Sequence, residues 1–290
     1  MQPQFTECLR KYPKLTIKRH TVIEPYHRLF DLRLIEIWNY RSLLVMLTWR
    51  EITIRYQQTL LGIMWVIIQP VINIIIYSLV FGLLLRAPSE EYPYIVYLFP
   101  ALIIWRMMAD GISRSSLSLT TNSRLIEKVY FPRLIIVIAS ILAAMIDFFF
   151  AMIVLLVVMV LYHIGFSWHL VFVPLYTLLA VFTALSVSVW LAPLNIRYRD
   201  VTHIIPFIVQ ISMYLSPIVY PITLIPESVR WLYSLNPMTT VILGFRWCLL
   251  ADSTPPNLVP AVIGFIITGA LFIFGLAFFK RSEYTFVDKI

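Results

Sequence analysis

Residues 60–82 read LLGIMWVIIQPVINIIIYSLVFG, and this stretch decides the class of fold. It lies within a segment that carries no charged residue between Arg55 and Arg86. A bilayer core about 30 Å thick requires about 20 consecutive apolar residues of helix, which this stretch supplies. Because a strand of a membrane barrel would alternate apolar and polar residues, the unbroken run predicts a membrane-spanning helix.

Three residues near the start of this helix depart from the apolar pattern: Gln69, Pro70 and Asn73. Pro70 removes one backbone hydrogen bond, whereas Gln69 and Asn73 are one turn apart and share a helix face. An amide side chain that faced lipid would leave its hydrogen-bonding groups unpaired. This face is therefore expected to turn inward, toward other helices.

The whole chain has the composition of an integral membrane protein. Hydrophobic residues make up 60% and charged residues 13% of its 290 residues, against about 45–50% and about 25% in soluble domains. The apolar runs predict an all-α protein with six transmembrane helices, over residues 60–85, 92–108, 134–162, 170–194, 201–224 and 258–279. The fifth is expected to be discontinuous because it contains Pro206, Pro217 and Pro221.

Basic residues orient these helices, since Lys and Arg accumulate in cytoplasmic segments. Of the 23 Lys and Arg residues, only Arg86, Arg230 and Arg246 fall on the opposite side of a six-helix arrangement. The N-terminal segment 1–59 and the tail 280–290 are therefore both predicted to be cytoplasmic. The net charge of +8 reflects these cytoplasmic segments, so no nucleic-acid partner is expected.

Two segments outside the spans have helical character. Residues 29–48 place apolar side chains near one face and charges largely away from it, which predicts an N-terminal amphipathic helix at the membrane interface. A soluble helix packed on another cytoplasmic part is the alternative. Residues 227–257 are too polar for a span and too apolar for a free loop. They predict short gate helices at the outer interface, between spans five and six.

The sequence contains no pattern for catalysis or for nucleotide binding. A phosphate-binding loop needs a glycine five residues before Gly-Lys-Ser/Thr, and none of the eight glycines stands in that context. The five histidines lack the spacing of metal ligands. No cofactor or metal is therefore expected in this chain, and any ATP and Mg²⁺ would have to be bound by a separate subunit.

Asp147 is the one acidic residue deep within a predicted span, about halfway along the third. An ionisable side chain at that depth is costly and points to a functional role, such as a proton relay. The alternative is a hydrogen-bonded or protonated residue that serves helix packing. Because no second intramembrane acid, base or histidine is evident in the sequence, we expect a structural or gating role.

Five segments together resemble the membrane subunit of ABC-2 type polysaccharide exporters, which handle O-antigen, capsule and teichoic acid. They are RYQQTLLGIMWVIIQP at 55–70, KVYFPRLIIVIASILAAMIDF at 128–148, LNIRYRDVTHIIPFIVQISMYLSPIVYP at 194–221, LNPMTTVILGFRW at 235–247 and SEYTFVDKI at the end. The resemblance implies a homodimer in the bacterial inner membrane, joined by two copies of a cytoplasmic ABC ATPase. Its cargo would be a polysaccharide linked to undecaprenyl pyrophosphate.

The same resemblance implies that the loop between spans two and three, residues 110–133, couples to the ATPase. Arg124, Glu127 and Lys128 would make polar contacts with it, while Tyr130 and Phe131 would fill a hydrophobic groove. The alternative is a solvated loop that carries the positive charge typical of cytoplasmic segments.

Two further residue sets are assigned by position. Four arginines at the cytoplasmic mouth would meet the lipid pyrophosphate, or else simply anchor to anionic headgroups: Arg50, Arg55, Arg197 and Arg199. The channel or gate would be lined by the polar pair of the first span, Gln69 and Asn73, and by three aromatic residues, Tyr214, Tyr220 and Trp231. For the aromatic residues the alternative is an ordinary aromatic belt at the membrane interface.

Three other functions compete with polysaccharide export. An ABC-2 exporter of a drug or small lipid would share the same architecture. A proton-coupled secondary transporter would need intramembrane relay residues and usually internal repeats, which residues 60–163 and 170–279 do not show. A membrane-embedded enzyme is disfavoured because no catalytic cluster is evident.

Overall fold

The computed structural model describes residues 34–57, 62–84, 92–250, 255–283 and 286, and none of these lies in a β-strand. Single helical turns of 3-10 type occupy Gly62–Met64, Trp168–Phe172 and Ile222–Leu224. In chain order the α-helices are α1 (Leu34–Asn39), α2 (Arg41–Tyr56), α3 (Trp65–Tyr77), α4 (Tyr94–Thr121), α5 (Ser123–Lys128), α6 (Leu134–Leu161), α7 (Val173–Arg197), α8 (Val201–Tyr214), α9 (Glu227–Leu235), α10 (Pro237–Leu249) and α11 (Leu258–Glu283).

Five helical segments of the described chain are long and apolar enough to cross a membrane: Trp65–Leu84, Tyr94–Thr121, Leu134–Leu161, Trp168–Arg197 and Leu258–Glu283. The first of them is α3 continued by a π-helix over Ser78–Leu84, and Pro70 lies inside it without ending it. Helix α8, in the place of the predicted fifth span, has 14 residues. At 1.5 Å per residue it is about 21 Å long, which is shorter than the bilayer core.

Helix α4 differs from the predicted second span, because it continues to Thr121 rather than leaving the helical pattern near residue 108. The charged residues that suggested a loop stand four apart on one helix face. Arg106 Nε lies 3.6 Å and Arg114 Nη2 lies 3.5 Å from Asp110 Oδ2. Such pairs stabilise a helix rather than end it. The connection to α6 is therefore reduced to residues 122–133, which include α5.

Helix α4 is the central helix of the described chain and packs mainly against α6 and α7. Small residues let these helices approach closely, since Gly111 lies between Ala144 and Ala184, with an added Cβ only 3.8–3.9 Å from theirs. Ser115 on α4 donates to Ser188 on α7 over 2.5 Å. Small residues and interhelical hydrogen bonds are the interactions that hold helices together where lipid provides no hydrophobic drive.

The predicted amphipathic helix over 29–48 corresponds in part to α1 and α2, and residues 29–33 lie outside the described residues. Helix α2 packs on α6, with Leu47 buried at the contact, whereas Trp49 on another face is 69% exposed. Ser140 of α6 donates to Glu51 over 2.5 Å. Burial raises the pKa of the Glu51 carboxyl above its ordinary value. One face of α2 is thus fixed to the helix bundle, and the other presents apolar side chains outward.

Two short helices, α9 and α10, stand between α8 and α11, in the segment where short helices are predicted. Asn236 caps α10 by accepting from the Met238 amide over 3.0 Å, and Pro237 occupies the first turn. Helix α9 is largely exposed, whereas α10 is mostly buried against α4 and α7. A Cβ added at Gly244 would lie 2.0 Å from the ring of Tyr176, so only glycine permits this crossing of α10 and α7.

Candidate functional site

A cavity of about 230 Å³ lies between the end of α2 and helices α3, α4 and α6. The cavity has polar and charged residues on one part of its wall and apolar residues on the remainder. The polar and charged lining consists of Arg55, Tyr56, Gln69, Asn73, Arg106, Asp110, Arg114 and Asp147. A cluster of charges inside an apolar helical protein is expensive unless the charges are paired, and such clusters mark functional sites.

Asp147 is the centre of this cluster. It accepts hydrogen bonds from Arg55, from the Tyr56 hydroxyl over 2.8 Å and from Arg114 Nη1 over 3.1 Å. No second intramembrane acid, base or histidine was evident from the sequence, and the structural or gating role expected of Asp147 stays a prediction. Arg114 was assigned to a loop, but the continuation of α4 places it beside α6. The carboxylate of Asp147 thereby joins α2, α4 and α6 at one point.

A second carboxylate, Asp110, completes the network. Arg106 lies one helical turn before Asp110, and Arg114 lies one turn after it. Arg114 consequently contacts both Asp110 and Asp147. The described lining of the cavity carries three arginines and two aspartates, and therefore one net positive charge. Sequence reasoning assigned no role to these α4 residues, although their spacing of four was the available signal.

Gln69 and Asn73 lie together on the cavity wall, on a shared face of α3. The Gln69 side chain is exposed, whereas the Asn73 amide nitrogen is buried and finds no hydrogen-bond partner among the described residues. A buried amide donor without an acceptor is uncommon in folded proteins. The polar face of the first span is therefore turned toward the charged cluster.

The predicted coupling residues lie on and just after α5. Arg124, Glu127, Lys128 and Tyr130 are exposed, and the Tyr130 side chain is 69% exposed. Phe131 differs from the prediction, because it is only 3% exposed and packs in a core cluster with apolar residues of α4 and α6. In this conformation Phe131 stabilises the protomer and does not present its ring to a partner.

The four arginines predicted at the cytoplasmic mouth are not brought together. Arg55 alone among them lines the described cavity, while Arg50 donates to Asn122 Oδ1, just before α5, over 3.0 Å. Arg197 and Arg199 are exposed at the end of α7 and in the turn that follows. The described structure thus places the four arginines at three separate positions instead of in one cluster.

Of the predicted gate aromatics, Tyr214 is the last residue of α8, Tyr220 follows that helix, and Trp231 lies on α9. The Tyr220 hydroxyl donates to the Tyr214 carbonyl over 2.8 Å and so closes the turn that ends this helix. Tyr94, at the start of α4, donates to the Val219 carbonyl over 2.7 Å. Trp231 is 61% exposed on α9. In the part of the chain that the structure describes, no group of three His, Cys, Asp or Glu side chains is arranged to hold a metal ion.

The five long apolar helices of the described chain are those of a multi-pass membrane protein. Residues 42–250 match the family model described as ABC-2 type transporter, and the chain belongs to this family. Three relatives are each called O-antigen export system permease protein RfbA. Two, from Klebsiella pneumoniae, are 26% identical over 250 and 251 residues, which cover 85% of this chain and 94% of each relative. The third, from Myxococcus xanthus, is 26% identical over 255 residues, covering 86% of this chain and 96% of the relative.

Proposed function

We propose that this chain is the membrane-spanning permease of an ATP-driven exporter that moves lipid-linked polysaccharide, with O-antigen as its cargo, from the cytoplasm across the bacterial inner membrane. The observation that carries this proposal is the likeness to O-antigen export permeases along 85% of the chain. That likeness covers the short helices and the charged helix α4 as well as the apolar spans, so it reflects more than shared hydrophobicity.

In this proposal two copies of the chain enclose the pathway and two copies of a separate ATPase bind ATP and Mg²⁺. The surface that receives the ATPase is α5 and the residues after it, where Arg124, Glu127 and Lys128 are exposed beside Tyr130. Arg50 connects α2 to this surface through Asn122. A movement of α5 would therefore be passed to α2 and to the cavity at its end.

Both termini lie in the cytoplasm in this proposal, which requires an even number of crossings and therefore one more than the five long apolar helices of the described chain. The additional crossing, which is the predicted fifth span, is supplied by α8 together with the turns that follow it, over residues 201–224. A helix broken within the membrane is tolerated where its freed backbone groups find partners inside the protein. Tyr94 and Tyr220 supply two such partners for the carbonyls of Val219 and Tyr214. The prolines of this segment thus fit a spanning element beside the export pathway.

The test is reconstitution of the permease with the ABC ATPase encoded beside it. Proteoliposomes that contain both subunits should hydrolyse ATP faster when lipid-linked O-polysaccharide is added, and should transfer the glycan to the opposite leaflet, where a membrane-impermeant lectin detects it. A partner that cannot hydrolyse ATP is the matched control. Export by the permease alone, or stimulation by hydrophobic drugs and not by the lipid-linked glycan, would contradict the proposal.

A further inference from the structure

The end of α11 contacts the start of α6 through one arginine. Arg133 lies directly before α6, and its Nη1 donates to the carbonyl of Glu283, the last residue of α11. The Glu283 carboxylate lies 3.9 Å from Arg133 Nε and accepts from the Arg133 backbone amide over 3.4 Å. Because the last carbonyls of a helix have no partner within it, the guanidinium supplies one from another helix.

Phe286, three residues beyond α11, adds to this contact. The centre of its ring lies 5.3 Å from Arg133 Cζ, which is within the range of a cation–π interaction. The ring also meets Phe279 of α11 edge-on, with ring centres 5.8 Å apart. Phe286 is only 1% exposed, although residues near a chain terminus are usually poorly ordered unless a contact holds them. The contacts with Arg133 and Phe279 therefore hold Phe286 in one place.

The loop between α4 and α6 lies on the same buried side chains. Phe286 and Phe279 belong to one core cluster with Ile126 of α5 and with Phe131. Helix α5 has six residues, whereas isolated helices of fewer than about 12 residues are marginal in water. Its inner side is buried through Ile126, while the charged residues of its other side are exposed. The position of α5 therefore depends on the cluster beneath it.

We infer that Phe286, which holds Arg133 together with the Glu283 carbonyl, is a positioning residue for the surface of α5 that receives the ATPase. It fixes one end of the loop 122–133 and the cluster on which α5 lies, so that the charged side of α5 is presented in one arrangement. The role of α5 as the docking surface rests on the proposed function. A surface that is ordered before binding loses less conformational entropy when its partner docks, and so binds that partner more tightly.

Helix α11 does not need this contact in order to stay in the helix bundle. Trp190 of α7 donates from Nε1 to the Leu271 carbonyl over 2.9 Å and stacks on Phe278 with ring centres 5.1 Å apart. A Cβ added at Gly275 would lie 2.6 Å from Trp190 Nε1, so α7 and α11 are in close contact there. Release of Phe286 should therefore loosen the loop while α11 remains packed against α7.

Binding of the fluorescently labelled ABC ATPase encoded beside this chain to the full-length permease in nanodiscs, without ATP, tests this inference. Phe286→Ala and Arg133→Gln should each raise the Kd about tenfold and leave the amount bound at saturation within about twofold, because the loop must then be ordered on binding. Phe274→Ala is the matched control, since this phenylalanine of α11 is 64% exposed. It should change the Kd less than about twofold.

Phe286→Ala combined with Arg133→Gln distinguishes one shared contact from two independent effects. If the two residues act through their mutual contact, the double variant should have about the same Kd as either single variant. A Kd raised about a hundredfold in the double variant, the product of two independent effects, would overturn the inference.

A purely structural role for Phe286 predicts a different pattern. Less ATPase would then be bound at saturation with an unchanged Kd, because a smaller fraction of the permease would be folded, and this result would also overturn the inference. Arg133→Gln keeps the test decisive if Phe286→Ala fails to fold.

The assay needs neither ATP nor a glycan, so it separates this inference from the proposed function. An unmodified permease that does not bind the ATPase would refute the partnership on which the proposed function depends. An unmodified permease that binds the ATPase, together with an unchanged Kd for Phe286→Ala and Arg133→Gln, would refute the positioning role alone.

Discussion

Replacing Arg246 with leucine should destabilise the outer part of the protein. Arg246 is 2% exposed on α10, and its guanidinium donates to the carbonyls of Tyr97 over 3.1 Å and Ile218 over 3.0 Å. The Arg246 Cζ atom also lies 3.7 Å from the centre of the Tyr97 ring. Ile218 lies in the turn after α8, so the helix supplies no hydrogen-bond partner for the Ile218 carbonyl. Arg246 thus joins α4, α10 and the turn after α8.

The magnitude follows from these contacts. The Ile218 carbonyl, which is left without this donor, costs about 1–2 kcal/mol, and the lost bond to the Tyr97 carbonyl, which keeps its partner within α4, costs about 0.5–1.5 kcal/mol; the lost cation–π contact adds about 1 kcal/mol. Release of the buried guanidinium from its desolvation offsets part of this cost, which leaves a net loss of about 2–3 kcal/mol. At about 2–4 °C for each kcal/mol, the midpoint of thermal unfolding should fall by about 5–10 °C.

The assay is thermal unfolding of the detergent-purified permease, followed by size-exclusion chromatography of heated samples. Arg199→Leu is the matched control, since this arginine is exposed in the turn after α7 and its replacement should cost less than about 1 kcal/mol. Arg246→Lys should give an intermediate loss, because lysine keeps the charge but lacks the planar fork that reaches two carbonyls. An Arg246→Leu protein that melts within 2 °C of the unmodified protein would refute the reasoning.

Three further predictions concern other described contacts. Asp147→Leu should lower the free energy of unfolding by about 1–3 kcal/mol, because Arg55 loses its carboxylate partner and Arg114 keeps only Asp110; Asp147→Asn should keep transport if the residue is no proton relay, and abolished transport by folded protein would restore the relay. Glu51→Gln should raise the midpoint of thermal unfolding near pH 7 but not below about pH 4.5. The pKa of Glu51 is raised in the folded state, so the unmodified protein loses stability relative to the variant as pH rises through that pKa. An equal difference between the two proteins at both pH values would contradict this. Tyr130→Ala should reduce stimulation of the proposed partner ATPase without changing the midpoint of thermal unfolding. Phe131→Ala should instead lower that midpoint, because it removes a buried ring. The opposite pattern would show that Phe131 contacts the ATPase.

The apolar runs determined the fold class without any tertiary information. A bilayer accepts helices of about 20 apolar residues, so the run at 60–82 and the later runs identify spans by length and composition alone. All five long apolar helices of the described chain fall on predicted spans. The shared face of Gln69 and Asn73 was equally predictable, because helical spacing fixes it.

The predicted second span ends near residue 108, whereas helix α4 continues to Thr121, for a physical reason. A sliding average counts Arg106, Asp110 and Arg114 as a loss of apolar character, and so ends the span near residue 108. The helix continues because these charges pair with one another and with Asp147 of α6. A linear sequence does not reveal which charges pair across helices, but it does show the spacing of four residues within α4.

The sequence by itself determined that this protein is a helical membrane protein, and its motifs resembled those of a polysaccharide exporter, because bilayer thickness and motif order are properties of the chain. Only the tertiary structure decided that Asp147 has partners, that Phe131 points inward and that Arg55 is separate from Arg197. These facts depend on which faces of distant helices meet. A buried charge is stable only where another helix brings its partner within hydrogen-bonding distance, and that distance is set by packing.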